Sequence, residues 1–466
     1  MALPHWRLTR LRRKLFWVSV ALYAAGLPVL LLFAFGIELN PATRVSLEET
    51  ASFSVSTAPP GARVVLPGRK ALPSPAVFDG LQPDPYAFSV SGDSDRTWTG
   101  TFQARAGLVS TITGLTMVSA KAPLEVLTFS SSTSPVLLDA GTSVAWVLPG
   151  EDGVDVAHVD HGKVATVRVD LPALTGEADQ ALDLLDLTGQ LLYRWKDKGG
   201  SHLAVLRTAR GSPPLQQASP TLRVADAAVR VLSVSVEQGS IVALDARGVG
   251  RYDRDGARES VVAFKAPLLA SGYLHGRWYA LDRAGDLYQY GAPLLPSAAG
   301  RVDVSAAARP ASTETLTIVA AEGERVECYS SARRSLLVFT PTVSTEYPNI
   351  DGADATKGGD AAWLWSGNAL YESLPAVLPK EHARLGSPVL GVREDFLPRI
   401  LAVTARDGVY LLPSLDPLAE QVQFLPLQAV VPGPQEVPIA CGEGTVLLAK
   451  ETTAAAKDYR LLWCPP

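Results

Sequence analysis

The sequence predicts an all-β chain carried behind a single apolar N-terminal helix, and three observations predict it. From Leu15 to Ile37 the chain runs LFWVSVALYAAGLPVLLLFAFGI without one charge. Thirty-eight glycines and thirty-five prolines punctuate runs rich in Val, Leu and Thr, with only two methionines; that is the composition of strands and tight turns, not of helix bundles. A unit of strand, glycine corner and strand returns at intervals near forty residues over the C-terminal three-quarters.

At 466 residues the chain has length for two or three domains, and its 47% hydrophobic content suffices for their cores. The formal net charge of −5 hides an asymmetry. Arg7, Arg10, Arg12, Arg13 and Lys14 precede the apolar run with no acid among them, leaving 37 basic against 47 acidic side chains beyond it. A body that acidic is a poor polyanion binder, because nucleic-acid affinity rests on neutralising phosphates. Nucleic acid is excluded as a partner class.

The run from Leu15 to Ile37 is long enough for a transmembrane helix, since ~1.5 Å per residue carries it across a ~30 Å hydrocarbon core with some tilt. Trp17 and Tyr23 suit interfacial depths, and Pro28 predicts a kink. The basic residues 1–14 stay cytoplasmic, so the rest of the chain lies outside the membrane. The competing reading, a cleaved signal peptide, calls for an apolar stretch of ~7–15 residues ending in a small-x-small site. The stretch here is longer, and Ala34-Phe35-Gly36 is a mediocre site. An uncleaved, single-pass signal anchor is the expectation.

Residues 38–50 read as a polar spacer. A compact β pattern follows over residues 51–118, with alternating runs such as Phe53 to Thr57 and Tyr86 to Val90 broken by Pro and Gly. Its core is Thr57, Pro60, Gly61 and Ala62, then Gly68, Pro75 and Leu81. On these residues the stretch resembles the PEGA domain, a small β-sandwich-like module of bacterial and archaeal envelope proteins. Asp84-Pro85-Tyr86 departs from that family's Pro-Gly before an aromatic, and a later Gly-Tyr is absent. The resemblance implies an extracytoplasmic location and a binding or scaffolding role with no assigned active site.

Residues 120–466 carry the repeat. Its copies place an apolar strand before Gly189, Gly248, Gly285, Gly323, Gly367 and Gly408 and an aromatic strand after each; Gly153 and Gly444 centre weaker copies. Residues 211–229 read as an insertion that stretches one interval. Glycine sits where a tight turn needs φ > 0. A strand-turn-strand period near forty matches a four-stranded propeller blade, which gives seven or eight blades. The repeat resembles WD40-like and quinoprotein-type β-propellers in period and turn, but their Gly-His, Trp-Asp and tryptophan-docking signatures are missing. The resemblance therefore speaks for architecture, not activity.

Cys441 and Cys464 flank the last hairpin, where a disulfide would staple the final blade if the compartment is oxidising; two buried thiols are the alternative. Asp186, Asp245 and Asp282 recur just before the turn, a pattern of turn capping and not of a convergent carboxylate pair. The longest irregular stretch runs from 340 to 360 and holds Asp351, Asp354 and Asp360 in a spacing that fits no calcium loop. His158 and His161 form the one close histidine pair, and i, i+3 places them on opposite sides of a strand. No nucleophile elbow, metalloprotease helix, P-loop or Cys-x-x-Cys occurs. No cofactor, metal or catalytic residue is implied.

The reading that follows is a membrane-anchored binding or scaffold protein of a prokaryotic cell envelope, its propeller face engaging a protein or glycan. Two rivals are a propeller hydrolase, lyase or sugar dehydrogenase acting on envelope carbohydrate, and a structural subunit of an envelope machine. Three or more carboxylates or histidines converging on the channel would favour the enzyme.

Overall fold

Alternation fixes the first long strand. In Ala51–Ala58 every second side chain from Ala51 to Thr57 is buried, which a pleated strand achieves only with one face against a core. The structure, a computed structural model, describes residues 5–34, 37–40, 46–131, 135–139, 144–149, 153–160, 162–170, 190–197, 200–207, 216–217, 222–224, 228–235, 240–245, 247–253, 257–274, 277–290, 297–305, 316–356, 358–373, 379–414, 422–442, 444–451 and 457–465. The chain divides into one unit of Met1–Ala120 with Pro413–Leu425 and a second of Lys121–Leu412 with Pro426–Pro466.

The first unit begins with a helix, His5–Ala34. Its described side chains run from residue 12 to 27, and Leu15, Phe16, Trp17, Leu22 and Tyr23 among them are exposed. Among the described residues no helix is long and apolar enough to cross a membrane. Ile37, expected as the last residue of a span, instead opens a strand, Ile37–Asn40, paired antiparallel with Ser46–Glu49. Within the expected spacer 38–50, the described residues are therefore largely paired strand. Its polar alternation carries no core signal, so composition marks it only as a linker.

Beyond the hairpin, two sheets face each other. One orders Ala76–Leu81, Ala51–Ala58 and Val109–Thr116; the other orders Val422–Phe424, Trp98–Gln103, Pro85–Ser91, Arg63–Val65 and Leu72–Pro73. Phe53 of the first sheet stacks on Phe102 of the second at 3.9 Å between ring centroids, with Phe88 at 5.2 Å. Burying each of these rings contributes about 1.5–3 kcal/mol. Thr57, Pro60, Gly61 and Ala62 form the corner where the chain passes between the sheets. The Thr57 N–H donates to Ser74 Oγ at 2.8 Å and the Gly61 N–H to the Ser74 carbonyl at 2.9 Å. Gly61 there holds φ +102°, which a side chain would oppose.

The second unit is a β-propeller of eight blades among the described residues, with blades 4 and 5 joined in one eight-stranded sheet. Blade 1 is Val136–Asp139, Val144–Pro149, Gly153–Asp160 and Lys163–Asp170; blade 2 is Gln190–Asp197 and Gly200–Arg207, with Gln216–Gln217 and Leu222–Val224 sharing the next position. Blade 3 is Ala228–Ser235, Ser240–Asp245, Gly248–Tyr252 and Arg258–Ala263. Blade 4 is Leu268–Leu274, Arg277–Asp282, Asp286–Tyr290 and Ser297–Arg301, and blade 5 is Leu316–Glu322, Arg325–Ser330, Ser335–Phe339 and Ser344–Pro348. Blade 6 is Gly352–Ala355, Ala362–Ser366, Ala369–Glu372 and Lys380–Arg384; blade 7 is Val389–Leu397, Ile400–Ala405, Gly408–Pro413 and Leu427–Val430. In blade 8, Glu436–Gly442, Thr445–Glu451 and Lys457–Trp463 are completed by Leu124–Ser131, the first strand of the unit.

That last pairing closes the array, and it supplies a partner for what would be a bare edge. Trp146 of blade 1 is fully buried against Leu447, Tyr459 and Leu461 of blade 8, and its indole N–H donates to Thr445 Oγ1 at 3.1 Å. The first strand of each blade is the innermost: Leu268–Leu274 and Leu316–Glu322 pair in parallel across blades 4 and 5.

Two expectations change here. The stretch 340–360 is not irregular; it supplies the outer strand of blade 5 and the inner strand of blade 6. Their sequences, STEYP and GADA, lack apolar alternation because one is an exposed edge and the other lines the centre. The insertion at 211–229 contributes the two short strands of blade 2 that pair with Gly200–Arg207.

Candidate functional site

The repeat glycines lie in or beside hairpin turns, with a phase the sequence does not reveal. Gly248, Gly285, Gly367 and Gly408 mark the second hairpin of blades 3, 4, 6 and 7, whereas Gly323 and Gly444 mark the first hairpin of blades 5 and 8. Gly285 at φ +86° sits where an added Cβ would meet the Val302 carbonyl; Gly323 at φ +56° has open space around it. Any antiparallel pair needs such a corner, so the glycine reports a hairpin and not its place in the blade. Gly189 and Asp186 lie outside the described residues, as does His161; His158 falls in Gly153–Asp160.

The recurring aspartates cap the turns. Asp282, fully buried, accepts from the backbone N–H of Ala284 and Asp286 at 2.9 Å through Oδ1, and from those of Lys265 and Ala266 at 3.2 and 3.3 Å through Oδ2. Asp245 accepts from the Arg247 N–H, the Tyr252 hydroxyl and the Arg258 guanidinium. Burial alone would raise the Asp245 carboxyl, but these donors outweigh it and hold it below the ordinary value. Burial, with Asp245 beside it, pushes Tyr252 up to about 12. These are closed structural networks and present nothing to a ligand.

The proposed disulfide is not formed: Cys441 and Cys464 are separate buried thiols. Cys441 pairs with Val446, while the Cys464 N–H donates to the Gly444 carbonyl on the far side of that same strand. Two strand spacings of ~4.8 Å separate the two backbones, beyond the ~7 Å that a disulfide can bridge. Cys441 Sγ instead lies 3.3 Å from Thr404 Oγ1, and burial pushes its thiol up to about 11.

What the topology does bring together is a polar group that runs from the inner strands of blades 6 and 7 out across blade 6. Asp354 on the inner strand of blade 6 stands directly opposite Trp363, and Trp363 opposite Glu372. The Trp363 indole N–H donates to Glu394 Oε1 at 2.6 Å. The Trp363 ring meets His382 edge-on at 5.0 Å, and His382 Nε2 lies 2.7 Å from Glu372 Oε2. On the blade 7 side the inner strand is bulged: Arg393 pairs with Ala402 and Leu397 with Ile400, so three residues face one. Asp395 within that bulge holds φ +52°. Bulges of this kind re-aim side chains and are frequent beside functional sites.

Asp354 is exposed, yet the protein around it raises its carboxyl above the ordinary value; Glu394 adds to the rise, while the Ala355 N–H and the Arg393 charge oppose it. The group sets two carboxylates and a guanidinium near one another, acceptors and donors of the kind that a polyhydroxylated or peptide ligand pairs with. Among the described residues no three His, Cys, Asp or Glu side chains are placed to hold a metal. Sequence reasoning weighed Asp354 only as part of a calcium loop and passed over Arg393 and Glu394, because Asp354 lies on a different blade from those two and shares no motif with them.

The first unit carries a shallow open depression of about 360 Å³ lined by Gly61, Arg63, Lys70, Ala71, Leu72 and Pro73. It lies at the sheet edge that Pro73 closes to further pairing.

No family model matches the chain, and no curated protein matches it. Among solved structures, BamB from Moraxella catarrhalis is 12% identical with a TM-score of 0.36, covering 73% of this chain and 99% of its own. Apo AztD from Citrobacter koseri is 11% identical with a TM-score of 0.39, covering 80% and 100%. Saccharomyces cerevisiae Sqt1 is 11% identical with a TM-score of 0.41, covering 74% and 99%. Likenesses this distant carry no functional argument, and the propeller assignment rests on strand order and closure.

Proposed function

We propose that this chain is a membrane-anchored binding or scaffold protein of a prokaryotic cell envelope, and that the polar group at blades 6 and 7 engages a glycan or protein segment. The observation that carries the reading is the N-terminal helix. Arg12, Arg13 and Lys14 lead into Leu15, Phe16, Trp17, Leu22 and Tyr23, whose side chains are exposed, Leu22 by 70% and Tyr23 by 69%. A helix exposing that many apolar side chains needs an apolar surrounding, and its charge-free part from Leu15 to Ala34 is the segment this reading places in the bilayer. The basic flank sets the orientation, with the PEGA-like module and the propeller outside.

The test is topological. Alkaline phosphatase fused after residue 120 is expected to be active and a fluorescent protein fused there dark, with the chain staying in the membrane pellet after alkaline carbonate extraction. A chain released by carbonate, or a bright fluorescent fusion, overturns the reading.

A second reading, an enzyme acting on envelope carbohydrate, is favoured by one observation. Burial raises the carboxyl of Asp354, with the Glu394 charge adding to the rise, and a carboxyl raised at the inner strand is suited to act as a general acid. Hydrolysis of envelope glycan fragments by the wild type but not by Asp354→Asn would establish it, and equal release by both would remove it.

A further inference from the structure

The outermost strand of the first unit's five-stranded sheet, Val422–Phe424, comes from far along the chain, out of the connection between the last two strands of blade 7. It pairs antiparallel with Trp98–Gln103, with Val422 opposite Phe102, Gln423 opposite Thr101 and Phe424 opposite Gly100. The Leu425 N–H adds a bond of 2.9 Å to the Thr99 carbonyl. Phe424 packs edge-on against Phe88 at 5.3 Å and Trp98 at 5.9 Å, and Val422 and Phe424 are both buried while Leu425 is exposed.

The acceptor edge is shaped for a strand. A Cβ on Gly100 would stand 2.7 Å from the Gln423 carbonyl oxygen and 2.8 Å from the Phe88 ring, so only glycine lets the incoming backbone lie there. The opposite edge of the same sheet ends in Pro73, which has no N–H to offer. One edge is closed by proline, and the other is open to pairing and covered by a segment only three residues long.

We propose that this edge is a peptide-binding site of the strand-addition type, that Val422–Phe424 is its built-in and exchangeable occupant, and that in trans it takes an extended segment of a partner protein with apolar side chains two residues apart, the second aromatic. Backbone pairing supplies affinity for any extended chain, and the slot formed by Phe88, Trp98 and Gly100 supplies the choice of side chain. Tethering gives the resident strand a high effective concentration, so a partner competes only when its own segment is longer or the tether is drawn away. This goes beyond the anchored-scaffold reading and stands or falls apart from it, since it concerns neither the helix nor the polar group of the propeller.

The purified full chain carrying Val422→Ser and Phe424→Ser together frees the edge without altering it. A fluorescein-labelled peptide of residues 421–427, QVQFLPL, is expected to bind this double variant saturably by anisotropy and to bind wild type at least tenfold more weakly. Adding Gly100→Val should abolish binding. A folded double variant that ignores the peptide, or binding that survives Gly100→Val, overturns the proposal. If the double variant does not fold, hydrogen exchange on wild type decides: amides of 422–425 exchanging faster than those of Pro85–Ser91 support exchangeability, and equal protection refutes it.

Discussion

Removing the Asp282 carboxylate tests whether the recurring acid before each turn is structural. Its side chain is fully buried and gathers four backbone N–H groups from two turns, at 2.9, 2.9, 3.2 and 3.3 Å. Hydrogen bonds to a charged group contribute about 1.5–3 kcal/mol each, and the two longer ones less. Asp282→Ala should therefore cost about 4 kcal/mol. Unfolding entropy near ~2.1 cal/mol/K per residue, over a unit of about 330 residues, converts that to a melting shift of roughly 6 °C. Asp282→Asn keeps one acceptor oxygen but turns its NH2 toward the N–H groups of Lys265 and Ala266, so about half the loss, roughly 3 °C, is expected. Circular dichroism melts of the full chain at a fixed scan rate read both shifts. An alanine variant melting within about 1 °C of wild type, or an asparagine variant below the alanine one, refutes the capping argument.

Two further predictions concern the same propeller. Glu327 is buried beside Arg325, and burial raises its carboxyl above the ordinary 4.5 while Ser373 and Arg325 only partly oppose the rise. A carboxyl raised on folding binds more protons in the folded state, so stability falls as pH climbs from 4.5 through the folded value. The melting difference between Glu327→Gln and wild type should therefore move in favour of glutamine from pH 4 to pH 8; a constant or opposite trend would contradict the assignment. Among the glycines, Gly323→Ala pays only for a left-handed backbone, about 1–2 kcal/mol, whereas Gly285→Ala also drives a Cβ into the Val302 carbonyl. The second should lower the melting temperature at least twice as far as the first, and equal shifts would mean the turn relaxes freely.

The propeller was legible because hairpins repeat: each blade must turn its chain within a few residues, and Gly285, Gly367 and Gly408 announce those corners whatever surrounds them. Charge asymmetry about Leu15 and the alternation of Ala51–Ala58 are likewise local, so the sequence by itself determined the apolar helix, the strand-rich module after it and the blade period. The phase of the blades was not legible, since Gly323 and Gly285 look alike in sequence and turn different hairpins.

Tertiary structure decided everything that depends on which strands become neighbours. Leu124–Ser131 completes blade 8 across the whole length of the propeller chain, Val422–Phe424 reaches the sheet of the first unit, and Asp354 feels the charges of Arg393 and Glu394 only because two inner strands lie side by side. Cys441 and Cys464, close along the chain and flanking one hairpin, are kept apart by the strand between them. Pairing across such distances is set by the global closure of sheets, and a sequence read in windows records the shape of each turn but not the partner that waits beyond it.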